Sequence, residues 1–321
     1  MKDYHLNPPP FPFRLWLWRV KLLLLPMMLT ALTFLACKTT ENRPVNIPKG
    51  FDWQGHRGCR GLMPENSLPG FLKALEFPEV VTLELDLVVS KDGTLIVSHE
   101  PWFNPEICLL PDGDTIKQKD LERFQIYNMS TNAIQGMDCG SKVNPKFPEQ
   151  QKIKTHKPTL SEVVEAVKLV RPNIRWNLEI KSQPGWDDIR HPRVEAFVQL
   201  VVAEIRKFGL EKLCTVQSFD VRVLNELHRY APDLQMAFLI GNDDGLEPNM
   251  ARLNFEPAIY SPYYLLVDKK LVKECHARKM NIIPWTVNDV KSMRLLIRMG
   301  VDGIITDYPN MIREVGKKIK A

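Results

Sequence analysis

From residue 52 onward the chain alternates short, β-branched apolar runs with longer stretches whose apolar residues recur at helical spacing, and no other feature constrains its fold as tightly. Strands are expected at 52–55, 81–86, 95–98, 175–180, 213–217, 235–240, 258–261, 281–286 and 303–306, with helices at 67–76, 160–170, 192–208, 220–230, 269–278, 290–299 and 309–318. Thr159 with Glu162 forms a capping box, Pro192 suits a first helical turn, and Asp220 and Asn288 are natural caps. Eight or nine strands alternating with helices over about 270 residues is the rhythm of an α/β (β/α)8 barrel. A doubly wound open sheet is the competing architecture. It wants a glycine-rich phosphate loop after the first strand, where this chain has His56-Arg57-Gly58. Residues 101–158 break the rhythm with prolines and few apolar repeats, which reads as a small insertion after an early barrel strand.

The formal charge of +5 drops to +2 once residues 1–36 are set aside, because that segment holds Lys2, Arg14, Arg19 and Lys21 against Asp3 alone. A nearly neutral chain with its bases and acids interspersed excludes a nucleic-acid partner, which would need a basic stripe. The basic N-terminus runs into the apolar stretch 22–35, shorter than the roughly 20 residues of a membrane-spanning helix, so residues 1–36 read as a secretory signal. It ends at Phe34-Leu35-Ala36-Cys37, which resembles a bacterial lipoprotein processing site; Cys37 would carry the lipid and residues 37–50 would tether a domain at 51–318. These features place the protein in the bacterial cell envelope, on the periplasmic side or at the outer membrane. The other five cysteines contain no CxxC pair, which argues against a cysteine zinc site, and Cys108 and Cys139 share one irregular stretch in which they could pair.

In a barrel the reactive groups gather at the C-terminal ends of the strands, and polar residues awkward in a core recur at those ends here. His56 and Arg57 close the first run and His99 and Glu100 the third. Glu84 and Asp86, two apart, share one face of the second, as do Glu179 and Lys181 on another. Gln217 and Trp285 end two more. Any one of these residues alone reads as a surface charge or a structural hydrogen-bonder; their coincidence at several strand ends reads as a site. The residue types suit phosphodiester cleavage. Two histidines share the proton work, Arg57 and Lys181 clamp the phosphate, and three carboxylates form a hard oxygen site for Ca2+ or Mg2+.

The motifs Gly55-His56-Arg57-Gly58, Pro64-Glu65-Asn66-Ser67, Leu83-Glu84-Leu85-Asp86, Lys91-Asp92-Gly93 and His99 follow one another in the order and spacing of the glycerophosphodiester phosphodiesterase signature. Glu179-Ile180-Lys181, Gln217-Ser218-Phe219 and Trp285-Thr286-Val287-Asn288 resemble the later motifs of that family, so the resemblance spans residues 52 to 312. It implies a TIM barrel with one divalent cation held by Glu84, Asp86 and Glu179, an acid/base pair in His56 and His99, and a phosphate clamp in Arg57 and Lys181. Gln217, Phe219 and Trp285 would line the substrate pocket. Family members release sn-glycerol 3-phosphate and an alcohol from glycerophosphodiesters, and the insertion would form a wall or lid. Ser67, Glu100 and the loop holding Cys59 and Arg60 depart from the usual pattern without removing a catalytic group. Glu65 and Asn66 stand either beside the metal and phosphate or at a helix cap.

Other readings predict other patterns. A phospholipase C-like barrel shares the histidine and metal logic but not the Glu-Ile-Lys motif or the long insert. A non-catalytic, glycerophosphodiester-binding lipoprotein would have lost catalytic residues. A glycoside hydrolase built on Glu84 or Glu179 would leave His56, Arg57, His99 and Lys181 without a task.

Overall fold

Every apolar run expected from residue 52 onward becomes a strand: β1 (Asp52–Gly55), β2 (Thr82–Val89), β3 (Leu95–Val97), β4 (Arg175–Ile180), β5 (Cys214–Ser218), β6 (Gln235–Ile240), β7 (Ile259–Pro262), β8 (Asn281–Ile282) and β9 (Gly303–Thr306). The computed structural model describes residues 45–317; the signal segment 1–36, Cys37 and the first part of the tether lie outside the described residues. Eight of the strands are parallel, in the order β8-β7-β6-β5-β4-β2-β1-β9. The ring closes between β8 with the segment after it and β9 through three backbone bonds, Asp302 N–H to Ile282 O at 3.0 Å, Ile305 N–H to Pro284 O at 3.0 Å and Val287 N–H to Ile305 O at 2.9 Å. Pro284 has no N–H to return, so no ladder forms there and β8 stops short of the expected 281–286. The fold is a TIM barrel.

One strand departs from expectation. The third run is no barrel strand: β3 folds back antiparallel on β2, pairing Val88 with Ile96. The turn between them is Ser90-Lys91-Asp92-Gly93-Thr94, in which Gly93 takes the left-handed backbone (φ +77°) that closes a tight hairpin. The insertion therefore follows a hairpin rather than a barrel strand. It packs Phe103, Ile107, Ile116, Ile126 and Ile134 onto Val88 and Ile96, a core of its own on the hairpin face opposite the one that Leu87, Val89, Leu95 and Val97 turn to the main core. A disulfide joins Cys108 to Cys139 inside that core. Closing a loop of sequence separation 31 removes denatured-state entropy worth about 3–4 kcal/mol at most. Replacing both cysteines with serine should therefore lower the denaturation midpoint, and proteolysis should nick the insertion first.

The helices are α1 (Leu68–Leu75), α2 (Thr131–Gln135), α3 (Leu160–Val170), α4 (Val194–Lys207), α5 (Val221–Tyr230), α6 (Leu246–Met250), α7 (Lys269–Ala277), α8 (Val290–Met299) and α9 (Ile312–Val315). Their apolar stripes face the barrel: α4 buries Val194, Phe197, Val198, Val201, Val202 and Ile205 against the outward faces of the strands. Thr159 and Glu162 form the expected capping box on α3, and Asp220 caps α5. Two expected helix starts are corrected. Pro192 precedes a helix that begins at Val194, and α8 is capped by Asp289 rather than Asn288. Among the described residues no helix is long and apolar enough to cross a membrane.

The pleat divides the strands into an outer apolar face and a lumen. On β2, Leu83, Leu85 and Leu87 face the helices while Thr82, Glu84 and Asp86 face inward. Beside them the register sets Asn177 against Glu84, Glu179 against Asp86, and Gln217 against Glu179. Across the barrel Ala237, Ile259, Ile283 and Ile305 form a separate apolar cluster. The lumen is thus polar along β1, β2, β4 and β5 and apolar along β6 to β9, and that asymmetry places the reactive groups on one wall.

Candidate active site

The first barrel strand ends in a turn that sequence chemistry dictates. Gly58 has φ +83°, and a Cβ there would meet the backbone of Gly70 and Phe71 at 2.8–2.9 Å, so only glycine lets the loop lie against α1. Gly58→Ala should cost roughly 2–4 kcal/mol in chemical denaturation through left-handed strain plus the clash. The same turn puts Arg57 at φ 49° and aims its backbone N–H at Glu84 Oε2, 2.9 Å away.

Above the polar wall lies a cleft of about 130 Å³ lined by His56, Arg57, Arg60, Glu84, His99, Glu179, Lys181, Gln217, Phe219 and Trp285, with Leu239 and Ile305 opposite. It brings together all the expected catalytic, phosphate-binding and pocket residues, and two of the three expected metal ligands. The third, Asp86, lies just beneath. Among the described residues Glu84, Asp86 and Glu179 offer carboxylate oxygens within 4.8 Å of one another, all buried. Burial, reinforced by the charges of Asp86 and Glu179, pushes Glu84 well above the ordinary carboxylate range. Asp86 moves the other way: burial would raise it, but Arg57 and Lys181 hold it well down. Glu179 is raised by burial despite the Lys181 ammonium 2.5 Å away.

Three buried carboxylates facing one point form the donor set of a hard divalent cation. Asp86 Oδ1 is buried without a hydrogen-bond donor, Lys181 Nζ standing 3.5 Å from it. The other carboxylate oxygens that face protein are held: Glu84 accepts from Arg57 N–H and from Gln217 Nε2 at 3.0 Å, and Asp86 Oδ2 accepts from Asn66 Nδ2 at 2.8 Å. The residues present therefore fit a bound metal ion.

Asn66 is a support for Asp86, taking the left-handed conformation (φ 51°) that asparagine tolerates, and Ser67 rather than Asn66 caps α1. Glu65 anchors the Arg57 guanidinium at 2.9 Å. Gln217 reaches the site from the lumen as part of a chain in which Asn177 Nδ2 donates to Gln54 Oε1 at 2.8 Å and to Gln217 Oε1 at 3.0 Å. Phe219 and Trp285 form the outer wall edge to face, centroids 5.4 Å apart, and the Trp285 indole donates to Ser261 O at 2.9 Å.

Each histidine has an acidic partner. His56 Nδ1 lies 2.6 Å from Asp307 Oδ1, which leaves Nε2 toward the cleft, 3.9 Å from Glu84 Oε2. Burial drives His56 down to about 4 against the pull of Asp307, so the ring is neutral and donates Nδ1–H to the carboxylate. His99 Nδ1 is 3.1 Å from Glu100 Oε1. Because β3 turns back, His99 comes from the loop leading into the insertion rather than from the end of a barrel strand.

The family model for glycerophosphoryl diester phosphodiesterases matches residues 56–311, the span that supplies every residue lining the cleft. The chain belongs to that family. It is 29% identical to a glycerophosphodiester phosphodiesterase of Caldanaerobacter subterraneus over 81% of this chain and 97% of the relative. A Bacillus altitudinis enzyme of the same name is 28% identical over 83% of this chain and 98% of its own. Among solved structures, a Silicibacter pomeroyi protein provisionally assigned to the same activity superposes with a TM-score of 0.75 at 29% identity, covering 86% of this chain and 95% of the other. An Oleispira antarctica phosphodiesterase shares the fold with a TM-score of 0.66 at 21% identity, covering 84% and 96%. Like the relatives so named, this glycerophosphodiester phosphodiesterase family member is an enzyme.

Three polar residues of this site escaped the sequence reading. Asp307 follows β9 directly, so the strand-end rule that found His56 and Gln217 would have found it one residue past the expected strand. Arg60 clamps Asp307 with two bonds, Nε to Oδ1 at 2.8 Å and a terminal nitrogen to Oδ2 at 3.0 Å. Asn288, expected as a cap, donates to Asp307 Oδ2 at 2.7 Å. Burial alone would raise Asp307; His56 and Arg60 together drive it well below the usual carboxylate range. Asp307→Asn keeps the shape but loses the charge that holds the His56 tautomer. We expect kcat to fall by about 100-fold or more with KM little changed, as measured in steady-state assays.

Proposed function

We propose that this enzyme hydrolyses glycerophosphodiesters to sn-glycerol 3-phosphate and an alcohol, with one divalent cation, Ca2+ or Mg2+, and with His56 and His99 as its acid/base pair. The observation that carries the reading is the convergence, in one cleft, of two carboxylate-paired histidines, two phosphate-binding cations and a buried three-carboxylate site. The Oleispira antarctica neighbour is described with sn-glycerol-3-phosphate as its product, which supports the same product here. A cation held by Glu84, Asp86 and Glu179 would supply positive charge at the phosphate and offset charge developing in the transition state.

The chain's own groups do the rest. Arg57, oriented by Glu65 and Asp86, presents its remaining guanidinium hydrogens to a non-bridging oxygen. Lys181 adds a second positive charge beside it. His56 Nε2, neutral and fixed by Asp307, takes the proton of the attacking hydroxyl, in this family often the substrate's own glycerol hydroxyl. His99, beside the Glu100 carboxylate, gives a proton to the departing alkoxide; water then opens the cyclic glycerol phosphate that such an attack leaves, His99 taking the water's proton and His56 returning its own to the released glycerol oxygen, so that sn-glycerol 3-phosphate results. Phe219, Leu239 and Trp285 give the glycerol carbons an apolar wall. All these groups are present, which counts against a purely binding protein, and a glycoside hydrolase would leave four of them idle.

Release of glycerol 3-phosphate from glycerophosphocholine, glycerophosphoethanolamine and glycerophosphoglycerol, with Ca2+, Mg2+ or EDTA, tests the reading. Metal-dependent release supports it, and well-folded, metal-loaded protein that releases none from any diester overturns it. We further propose that Cys37 carries a lipid and holds the enzyme at the bacterial envelope, supported by the basic and apolar segment before it and by a disulfide suited to an oxidising compartment. Mass spectrometry of the N-terminal peptide should find acylated Cys37; an unmodified peptide running through Cys37 sinks the anchor.

A further inference from the structure

The mechanism leaves one buried ionisable group without a task. Lys157, on the segment that leaves the insertion and enters α3, is 6% exposed, and among the described residues its ammonium makes a single hydrogen bond, to Ser98 Oγ at 2.7 Å. The centroid of the Phe103 ring lies 5.5 Å from that ammonium. Burial pulls Lys157 below the ordinary lysine range, against the charges of Glu100, Glu65 and Asp86 that hold it up. An ammonium taken out of water with one of its three donors met is costly, and a methionine of similar length would fill the same space without that cost. Packing alone gives no reason for a charge here.

What the ammonium holds is the backbone that carries His99. Ser98 Oγ accepts from Lys157 and donates to Glu100 O at 2.6 Å, so one chain of hydrogen bonds spans the 98–100 segment. Ser98 N–H is fixed on Asp86 O at 3.0 Å and Val97 N–H on Pro158 O at 2.8 Å, which lays the lysine's own segment along β3 just before His99. Glu100 Oε1 then meets His99 Nδ1 at 3.1 Å. Burial alone would raise Glu100, but His99, Lys157 and Arg57 hold it down at about 2, so its charge stays beside the ring. His99 lies beyond Val97, the last residue of β3, and has no ladder of its own to orient it. We propose that Lys157 is a positioning residue that fixes the His99 ring, and with it the acid of the reaction, through Ser98 and Glu100. The proposal rests on the acid role given to His99 above.

The test follows leaving-group release in single turnover by the full-length, metal-loaded parent and by Lys157→Met, Ser98→Ala, His99→Ala and the double variant Lys157→Met/His99→Ala. Two substrates are compared: glycerophosphocholine, and the p-nitrophenyl diester of glycerol 3-phosphate, whose phenolate is a weak base that departs without a proton. In Lys157→Met choline release should slow about 10- to 100-fold, while nitrophenolate release stays within about threefold of the parent, because a displaced acid matters only where a proton is needed. Ser98→Ala breaks the chain and leaves the ammonium in place; it should show the same selective loss to a smaller degree, and it decides the matter if Lys157→Met does not fold. In the His99→Ala background Lys157→Met should cost nothing further. A cost there equal to that in the parent overturns the proposal. So does a Lys157→Met loss shared equally by both diesters, or no loss, where that of His99→Ala is selective. If His99→Ala slows both diesters alike, the acid role fails, and the positioning of His99 stands only where the Lys157→Met loss vanishes in the His99→Ala background.

Discussion

His56→Ala should lower kcat for glycerophosphodiester hydrolysis by about 1,000-fold, within the range of about 100- to 10,000-fold that a positioned acid or base contributes. In the proposed mechanism His56 works through one nitrogen. Asp307 occupies Nδ1 at 2.6 Å, burial keeps the ring neutral, and Nε2 is left as the proton acceptor. Alanine removes that acceptor and leaves the Asp307 carboxylate buried with Arg60 and Asn288 as its partners. Folding is retained because those partners stay. His99→Ala should give a loss of the same order, and the double variant much less than the product of the two, because groups that act as one proton relay are non-additive. Steady-state kinetics on the three proteins decides the matter. A His56→Ala enzyme within about tenfold of the parent would exclude this ring as the base.

Removing the proposed divalent cation should abolish turnover and also loosen the fold. Glu84 is pushed up by burial and by the charges of Asp86 and Glu179, and Glu179 by burial and by Asp86 against the pull of Lys181, so at neutral pH their charges oppose folding unless a cation lies between them. Metal at about 100 times its Kd should stabilise the protein by about 2.7 kcal/mol, a rise of roughly 5–10 °C in Tm for a domain of this size. The sign of the pH dependence follows from Glu84. A carboxyl raised in the folded state takes up a proton at higher pH than an ordinary one, so protons compete with the metal earlier and the metal-induced rise in Tm shrinks as pH falls through that raised value. Glu179→Gln should lose most of the metal-induced rise while its metal-free Tm stays equal to the parent's or exceeds it, since a charge that opposed folding has gone. Differential scanning calorimetry with EDTA and with Ca2+ or Mg2+ measures both. A metal-free variant markedly less stable than the metal-free parent would show that Glu179 serves Lys181 rather than a cation.

Both experiments act on groups gathered from opposite ends of the chain. His56 and Asp307 are separated by 251 positions, and Glu84 and Gln217 by 133. The parallel register converts those separations into contacts, because each strand delivers its C-terminal residue to the same end of the barrel.

What the sequence by itself determined is what short-range chemistry controls. Alternating apolar periods specify strands and helices, since a pleat repeats every two residues and a helix every 3.6. The spacing Glu84-x-Asp86 and Glu179-x-Lys181 places each pair on one face, and Thr159 with Glu162 specifies the start of α3. What only the tertiary structure decided depends on register and on partners far along the chain. The run at 95–97 carries the same apolar signal as a barrel strand, and its antiparallel direction was settled by the five-residue turn before it and by the insertion core it helps to cover. Asn288 looks like a cap beside Asp289, and the approach of Asp307 gave it another partner. Arg60 carries no local pattern at all, and Asp307 only its place directly after a strand. Their role exists because closing the barrel brings the last strand beside the first, and in that buried corner a carboxylate is stable only where a histidine and a guanidinium meet it.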